Sequence, residues 1–148
     1  MGAREKLALF NMISEYLPGA IVLDAYAGSG ALGIEALSRG AKYAVFVEKN
    51  PRIAQAIRKN LAELGLAETA EVYDKDARSF SPADEFDIIL ADPPYDNFDT
   101  RGVENLVKSL KETGVLVLSH PGEAPEIKGL NLNKTRKYAA ARISIYTK

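Results

Sequence analysis

Short apolar segments alternate with amphipathic ones along most of this chain, and no other feature constrains its fold as strongly. Strands alternating with helices at this spacing form a parallel sheet with right-handed crossovers. The sequence therefore predicts an α/β fold with one open sheet. The apolar segments predict strands at Ala20–Asp24, Tyr43–Val47, Glu71–Tyr73, Phe86–Ala91 and Val115–Leu118, and a hairpin at about Leu130–Lys134 and Arg142–Tyr146.

Helices are predicted where apolar residues recur three or four positions apart. The second is expected from about Ala31 to Arg39, and the third begins after Asn50-Pro51, an N-cap followed by proline at the first helical position. Leu7, Phe10, Ile13 and Leu17 mark the first helix, and Val103, Leu106, Val107 and Leu110 mark the fourth.

Composition narrows the class of protein. The 148 residues suffice for a single domain over 1–148 with a real core. The chain has no cysteine and only one histidine, His120, so we expect no disulfide, no iron–sulfur cluster and no metal site. No apolar run approaches the ~18 residues that cross a bilayer, and no signal segment opens the chain. We expect a cytoplasmic monomer that does not contact membranes.

The charge of the chain is nearly balanced but unevenly placed. Its net charge is -1, from 19 basic and 20 acidic residues, which argues against salt-driven nucleic-acid binding by the whole surface. Asp84–Asp99 contains acidic residues and no basic one, whereas residues 127–148 contain basic residues and no acidic one. The basic tail is either a solvated strand face or a shallow contact with a polyanion.

A glycine-rich loop follows the first strand. Gly28, Gly30 and Gly33 form G-x-G-x-x-G, which fits a dinucleotide site or merely a tight strand-to-helix turn. Asp24, at the end of the strand, would repel a pyrophosphate but suits a ligand with a cationic amine. Glu48, after the second strand, is placed to accept hydrogen bonds from ribose hydroxyls. Together these two acids indicate S-adenosylmethionine, a ribonucleoside with an amino-acid tail.

The loop after the third strand contains Asp76 and Ala77. The carboxylate of Asp76 is a candidate acceptor for an adenine amino group. Asp74 and Asp76 are also ordinary turn residues, so a purely structural role stays open.

The fourth strand ends in Asp92-Pro93-Pro94-Tyr95, the most specific motif of the chain. Two prolines fix the backbone and leave the carbonyl of Pro93 outside strand pairing. This carbonyl and the Asp92 carboxylate are two close acceptors, which can hold both hydrogens of a planar exocyclic amine. Tyr95 offers a face on which a base can stack. The alternative is a Pro-Pro turn beside an incidental aspartate.

These motifs resemble the class I methyltransferase fold. The resemblance rests on V-L-D-A-Y-A-G-S-G-A-L-G-I-E-A-L from Val22, V-F-V-E-K-N, and I-I-L-A-D-P-P-Y. More narrowly, the chain resembles the RsmD family of 16S ribosomal RNA guanine 2-amino methyltransferases, and the stretch Arg4–Asn11 is part of that resemblance. It implies a three-layer sandwich with a mostly parallel seven-stranded sheet and a C-terminal antiparallel hairpin.

The resemblance also implies site residues and partners. The cofactor would be S-adenosylmethionine, its product S-adenosylhomocysteine, and the partner 16S ribosomal RNA or an assembling small subunit. Asp92, Pro93, Pro94 and Tyr95 would hold the target base, with no metal. Cofactor-binding residues would be Asp24, Tyr26, Ala27, Gly28, Ser29, Gly30, Glu48, Lys49, Asp76, Ala77 and Asp92.

Three alternatives to a guanine methyltransferase stay open. D-P-P-Y also occurs in adenine amino-methyltransferases of DNA or RNA. The glycine motif alone would permit a nicotinamide-dependent oxidoreductase, although Asp24 and D-P-P-Y argue against it. The chain is expected to lack the basic N-terminal extension usual in the family, so a truncated cofactor-binding module is the third. His120 is expected to be structural rather than a substrate contact.

Overall fold

A computed structural model, describing residues 1–139 and 141–148, contains a seven-stranded sheet in the order β3-β2-β1-β4-β5-β7-β6. The strands from β3 to β5 pair in parallel, whereas β7 runs antiparallel to both β5 and β6. This confirms the predicted α/β fold and its C-terminal hairpin. The strands are β1 (Ile21–Ala25), β2 (Tyr43–Val47), β3 (Ala70–Tyr73), β4 (Phe86–Ala91), β5 (Leu110–His120), β6 (Asn131–Lys137) and β7 (Arg142–Thr147).

Helices cover both faces of the sheet, which is why the central strands are apolar without alternation. The helices are α1 (Ala3–Met12), α2 (Ala31–Ser38), α3 (Pro51–Glu63) and α4 (Arg101–Leu106), with short 3₁₀ turns at Ser14–Tyr16, Ala67–Thr69 and Val107–Ser109. In the part of the chain that the structure describes, no helix combines the length and apolar character that a membrane crossing requires.

Alternate residues of the central strands point to opposite faces of the sheet, and each face packs against helices. Val22 of β1 packs with residues of α1 and α2, whereas Leu23 packs with residues of α4. Phe46 of β2 packs with Ile57 of α3, and the parallel register places Phe46 beside Asp24, on the same face as Val22. The result is three layers, with α1, α2 and α3 on one face of the sheet and α4 on the other.

The predicted ends of the first and fourth helices were wrong. Leu110 does not belong to the fourth helix: it pairs with Phe86 of β4 and begins β5, which is longer than the predicted Val115–Leu118. The spacing of Leu106 and Leu110 imitates a helix because both side chains enter the same core. The first helix, α1, ends at Met12, so Ile13 and Leu17 lie beyond it. Within α1, Leu7 is 54% exposed, and Leu9 is buried instead.

The central pair of strands, β1 and β4, determines where a site can form. Ala25 and Ala91, their last residues, lie side by side in parallel register. The strand order reverses at this pair, and open α/β sheets bind ligands beyond the carboxyl ends of their strands at such a point. The loops that follow β1 and β4 therefore meet at one edge, which we call the carboxyl edge of the sheet.

Candidate active site

A cavity of about 560 Å³ opens at the carboxyl edge, between the loops that follow β1, β2, β3 and β4. Most of the site residues predicted from the sequence line it: Tyr26, Gly28, Glu48, Lys49, Asp76, Ala77, Asp92, Pro93 and Pro94. Asp24, Ala27, Ser29, Gly30 and Tyr95 do not line it. Topology alone thus gathers residues from four separate segments of the chain around one space.

Glu48 fixes the shape of the glycine loop. Its carboxylate accepts a hydrogen bond from the N–H of Gly28 at 2.9 Å and another from the N–H of Asn50 at 2.9 Å. Gly28 has φ +56°, a left-handed conformation that glycine adopts without strain. A carboxylate has about four lone-pair positions, so Glu48 retains acceptor capacity for a ligand while it holds the loop.

Asp24 lies beneath the loop rather than in the cavity. Its side chain is 1% exposed, and it accepts a hydrogen bond from the N–H of Gly33 at 2.9 Å. Burial, with smaller contributions from the nearby carboxylates of Asp92 and Glu48, raises the pKa of this carboxyl to about 8, although the hydrogen bond from Gly33 opposes the shift. Asp24 is therefore mostly protonated at neutral pH.

The third glycine of the motif serves close packing. A Cβ at Gly33 would collide with the ring of Phe46 on β2. Its absence lets the first turn of α2 approach the sheet closely enough for the Gly33 N–H to reach Asp24.

Tyr26 is a non-glycine residue in a left-handed conformation, with φ +57°. Such backbone strain is concentrated at functional sites. Its ring lines the cavity, and its hydroxyl lies so close to Gly102 of α4 that a Cβ there would collide with it. Burial, followed by the charges of Asp99 and Asp76, raises the pKa of Tyr26 to about 12, so the hydroxyl stays protonated.

Asp76 is already engaged by a residue that sequence reasoning missed. Its carboxylate accepts from the backbone N–H of Arg78 at 2.9 Å and forms a salt bridge with the Arg78 guanidinium, also at 2.9 Å. The hydrogen bonds from Arg78 lower the pKa of Asp76 to about 2. An adenine amino group would therefore share this carboxylate with Arg78.

The D-P-P-Y segment leaves β4 at the cavity. Asp92 is half-buried, Pro93 is buried and Pro94 is exposed. The Tyr95 hydroxyl lies 2.6 Å from the Oγ of Ser119, a residue of β5 that is 2% exposed. Burial raises the pKa of Tyr95. Ser119 was missed, although its place directly after the predicted fifth strand could have singled it out.

His120 has the structural role expected for it. It is fully buried at the end of β5, and its Nε2 lies 2.6 Å from the Oγ of Ser144 on β7. It does not line the cavity. Burial lowers its pKa, which favours the neutral ring.

Solved structures identify the class of this fold. A candidate methyltransferase of Escherichia coli, YhhF, superimposes with a TM-score of 0.89 over 99% of this chain and 84% of its own, at 29% identity. A conserved hypothetical protein of Streptococcus pyogenes superimposes with a TM-score of 0.83 over 97% of this chain and 95% of its own, at 30% identity. The chain therefore has a class I methyltransferase fold.

Sequence comparison identifies the family within this class. The sequence model of the family described as "Conserved hypothetical protein 95" matches residues 1–147. A candidate ribosomal RNA methyltransferase of Bacillus subtilis, YlbH, is 39% identical over 97% of this chain and 84% of its own length. Ribosomal RNA small subunit methyltransferase D of Escherichia coli is 38% identical over 76% of this chain and 56% of its own length. The chain thus belongs to the RsmD family that its motifs resemble.

Proposed function

We propose that this protein transfers a methyl group from S-adenosylmethionine to the exocyclic 2-amino group of a guanine in 16S ribosomal RNA, in the cytoplasm. The observation that carries the proposal is the position of Asp92-Pro93-Pro94-Tyr95. This segment leaves β4 beside the loop that leaves β1, so an amine-holding motif and the glycine loop border one cavity.

The names of the relatives support ribosomal RNA as the substrate. YlbH is named as a candidate ribosomal RNA methyltransferase, and the proteins of Escherichia coli and Haemophilus influenzae are named for the small subunit. The chain spans 84% of YlbH but only 56% and 51% of the other two. For this chain, the substrate and its guanine are therefore proposals.

The cavity and its donor set fit the proposed cofactor. A volume of about 560 Å³ lies within the roughly 300–1,000 Å³ usual for small-molecule sites. Glu48 keeps acceptor capacity for ribose hydroxyls, and Asp76 with Ala77 lies on the cavity wall for the adenine. Tyr26, Ala27, Gly28, Ser29, Gly30 and Lys49 would frame the remainder of the molecule.

Asp24 would contribute by ionising when a cationic ligand binds. It is held mostly protonated by burial, and a cationic amine placed near it would favour its ionised form. The ionised carboxylate would attract such an amine and repel an anionic group such as a pyrophosphate. This supports S-adenosylmethionine over a nicotinamide dinucleotide.

Asp92 and Pro93 would hold the amine that accepts the methyl group. When bound, S-adenosylmethionine supplies a methyl group made electrophilic by its attachment to positively charged sulfur. The Asp92 carboxylate and the Pro93 carbonyl would accept the two hydrogens of the amine and direct the nitrogen lone pair. The carboxylate would also stabilise the positive charge that grows on nitrogen as the bond from sulfur to the methyl group breaks. S-adenosylhomocysteine would leave, and the methylated nitrogen would lose a proton to Asp92 or to water, so that positioning and electrostatics would account for the catalysis.

Tyr95 would provide the stacking face for the base, with Ser119 as a positioning residue. The bond of 2.6 Å to the buried Ser119 restrains the Tyr95 ring at the end of the motif. Since a base inside a duplex cannot reach such a site, the target nucleotide would be extruded or unpaired.

Identification of the methylated nucleoside tests this proposal. Unmethylated 16S ribosomal RNA and small subunits would be incubated with S-adenosylmethionine, digested and separated by mass spectrometry. The expected product is N2-methylguanosine. N6-methyladenosine would favour the adenine-specific alternative, and binding of S-adenosylmethionine without transfer to either substrate would favour a module without activity of its own.

A further inference from the structure

A row of basic side chains lies on the C-terminal hairpin, at some distance from the cavity. Lys134, Arg136 and Lys137 belong to β6, a strand whose every residue is exposed. In the described part of the chain, none of the three forms a salt bridge with a carboxylate. Their positive charges are therefore available to an anionic partner. We call these residues the basic row.

The sheet register brings the basic row to the same edge as the D-P-P-Y motif. Ala91 of β4 pairs with Leu118, the next residue of β5 pairs with Ile143 of β7, and Ile143 pairs with Arg136. Arg136 therefore stands level with Asp92, three strands away. At about 4.8 Å per strand, the two backbones are separated by roughly 14 Å.

The basic row also borders a groove. Lys134 and Arg136 pair with Ile145 and Ile143, whose side chains enter the core under α1. Cross-strand partners share a face of the sheet, so these two basic residues stand on the α1 side. There, with Asn11 and Met12 of α1, they line a groove of about 570 Å³. The lining of this groove contains no acidic residue.

We infer that the basic row and this groove bind the phosphate backbone of the RNA strand that carries the target base. The inference rests on the proposed function and adds a second contact surface to it. An edge strand rich in lysine also discourages pairing with other chains. Protection of the sheet edge requires no particular position of the lysines along β6. An RNA strand that enters the cavity, in contrast, is best bound by positive charge level with Asp92.

RNA affinity as a function of salt tests the inference. The probe is a fluorescently labelled, unpaired fragment of 16S ribosomal RNA. Arg136→Ala/Lys137→Ala removes two charges of the basic row at exposed positions. We expect affinity to fall roughly tenfold at low salt, and the slope of log affinity against log salt to decrease by about 0.7 for each phosphate that the variant no longer neutralises.

Lys59→Ala/Lys108→Ala is the matched control. It removes the same charge from two exposed residues, one on α3 and one preceding the start of β5, and should leave affinity and slope almost unchanged. Equal losses in the two double variants, or none in either, would overturn the inference. Methyl transfer by the wild type to a nucleoside other than guanosine, with the affinity loss confined to the hairpin variant, would support the inference and refute only the proposed reaction.

Discussion

The two halves of the sheet present different chemistry at the carboxyl edge. In the parallel half, from β3 to β4, the carboxyl group of Asp24 and the carboxylate of Glu48 accept hydrogen bonds from the backbone N–H groups of Gly33 and Gly28. In the antiparallel half, the basic row is exposed and forms no salt bridge among the described residues. Fixed groups suit orientation of small reacting groups, whereas exposed surface charges suit attraction of a polyanion.

This difference predicts distinct responses to mutation and to salt. Changes in the parallel half should alter cofactor affinity or the rate of transfer, with little dependence on ionic strength. Changes in the basic row should alter RNA affinity, and high salt should hide the effect, since exposed charges are screened.

Asp92→Ala is expected to have the largest effect. It removes one of two acceptors for the target amine, an interaction that strengthens as charge develops on nitrogen. By analogy with loss of one preorganised hydrogen-bond partner, single-turnover transfer should slow by about 100-fold or more. Asp96→Ala, an exposed acid that lines the same cavity, is the matched control. Full activity of Asp92→Ala would reduce the motif to a structural turn.

Glu48→Ala should come next, with a loss of cofactor affinity. Hydrogen bonds to charged groups are worth roughly 1.5–3 kcal/mol, and S-adenosylmethionine and S-adenosylhomocysteine should be weakened alike in calorimetry. Glu48 also accepts hydrogen bonds from Gly28 and Asn50. The melting temperature of the ligand-free variant should therefore be compared with that of the wild type, to separate lost affinity from lost stability. The exposed Glu63→Ala is the control. Unchanged affinity for both ligands would remove Glu48 from the site.

Tyr95→Phe should have a smaller effect than either of these. The ring and its stacking face remain, but the bond to Ser119 is removed, which is worth about 0.5–1.5 kcal/mol. We expect KM for RNA to rise several-fold while kcat changes little. Ser119→Ala removes the same bond, so the double variant should be no worse than either single one. Additive losses would show that the two residues act independently.

Arg78→Ala should have the smallest effect, and it should depend on pH. Arg78 lowers the pKa of Asp76 to about 2, below the ordinary value of 3.8, so the pair stabilises the fold above about pH 4. That stabilisation is lost as the pH falls towards 2. In chemical denaturation at pH 7, the free energy of unfolding of Arg78→Ala should be slightly lower than that of the wild type. This difference should disappear as the pH falls towards 2. A deficit independent of pH would contradict this account.

The sequence predicted the parallel half of the molecule well, for a physical reason. Buried central strands are short and apolar, and the loop that follows each one must begin at the carboxyl edge. This is why Glu48, Asp76 and Asp92 could be predicted as site residues from the sequence alone. All three line one cavity. Their roles toward cofactor and substrate stay predictions.

The features that were missed depend on long-range register or on local pairing. The Tyr95–Ser119 bond joins residues 24 positions apart through the pairing of β4 with β5, which periodicity does not contain. Placing Arg136 level with Asp92 requires the registers of three strand pairs. Leu110 was misassigned because helical spacing and entry into one core coincide there.

Single-turnover methyl transfer at limiting and at saturating RNA tests most directly whether the parallel half determines the rate of transfer and the basic row determines RNA affinity. Wild type, Asp92→Ala and Arg136→Ala/Lys137→Ala would be compared with saturating S-adenosylmethionine. We predict that Asp92→Ala stays slow at every RNA concentration, whereas the hairpin variant is slow only at limiting RNA and recovers the wild-type rate at saturation. A hairpin variant that stays slow at saturation, or an Asp92→Ala protein that recovers there, would contradict the account.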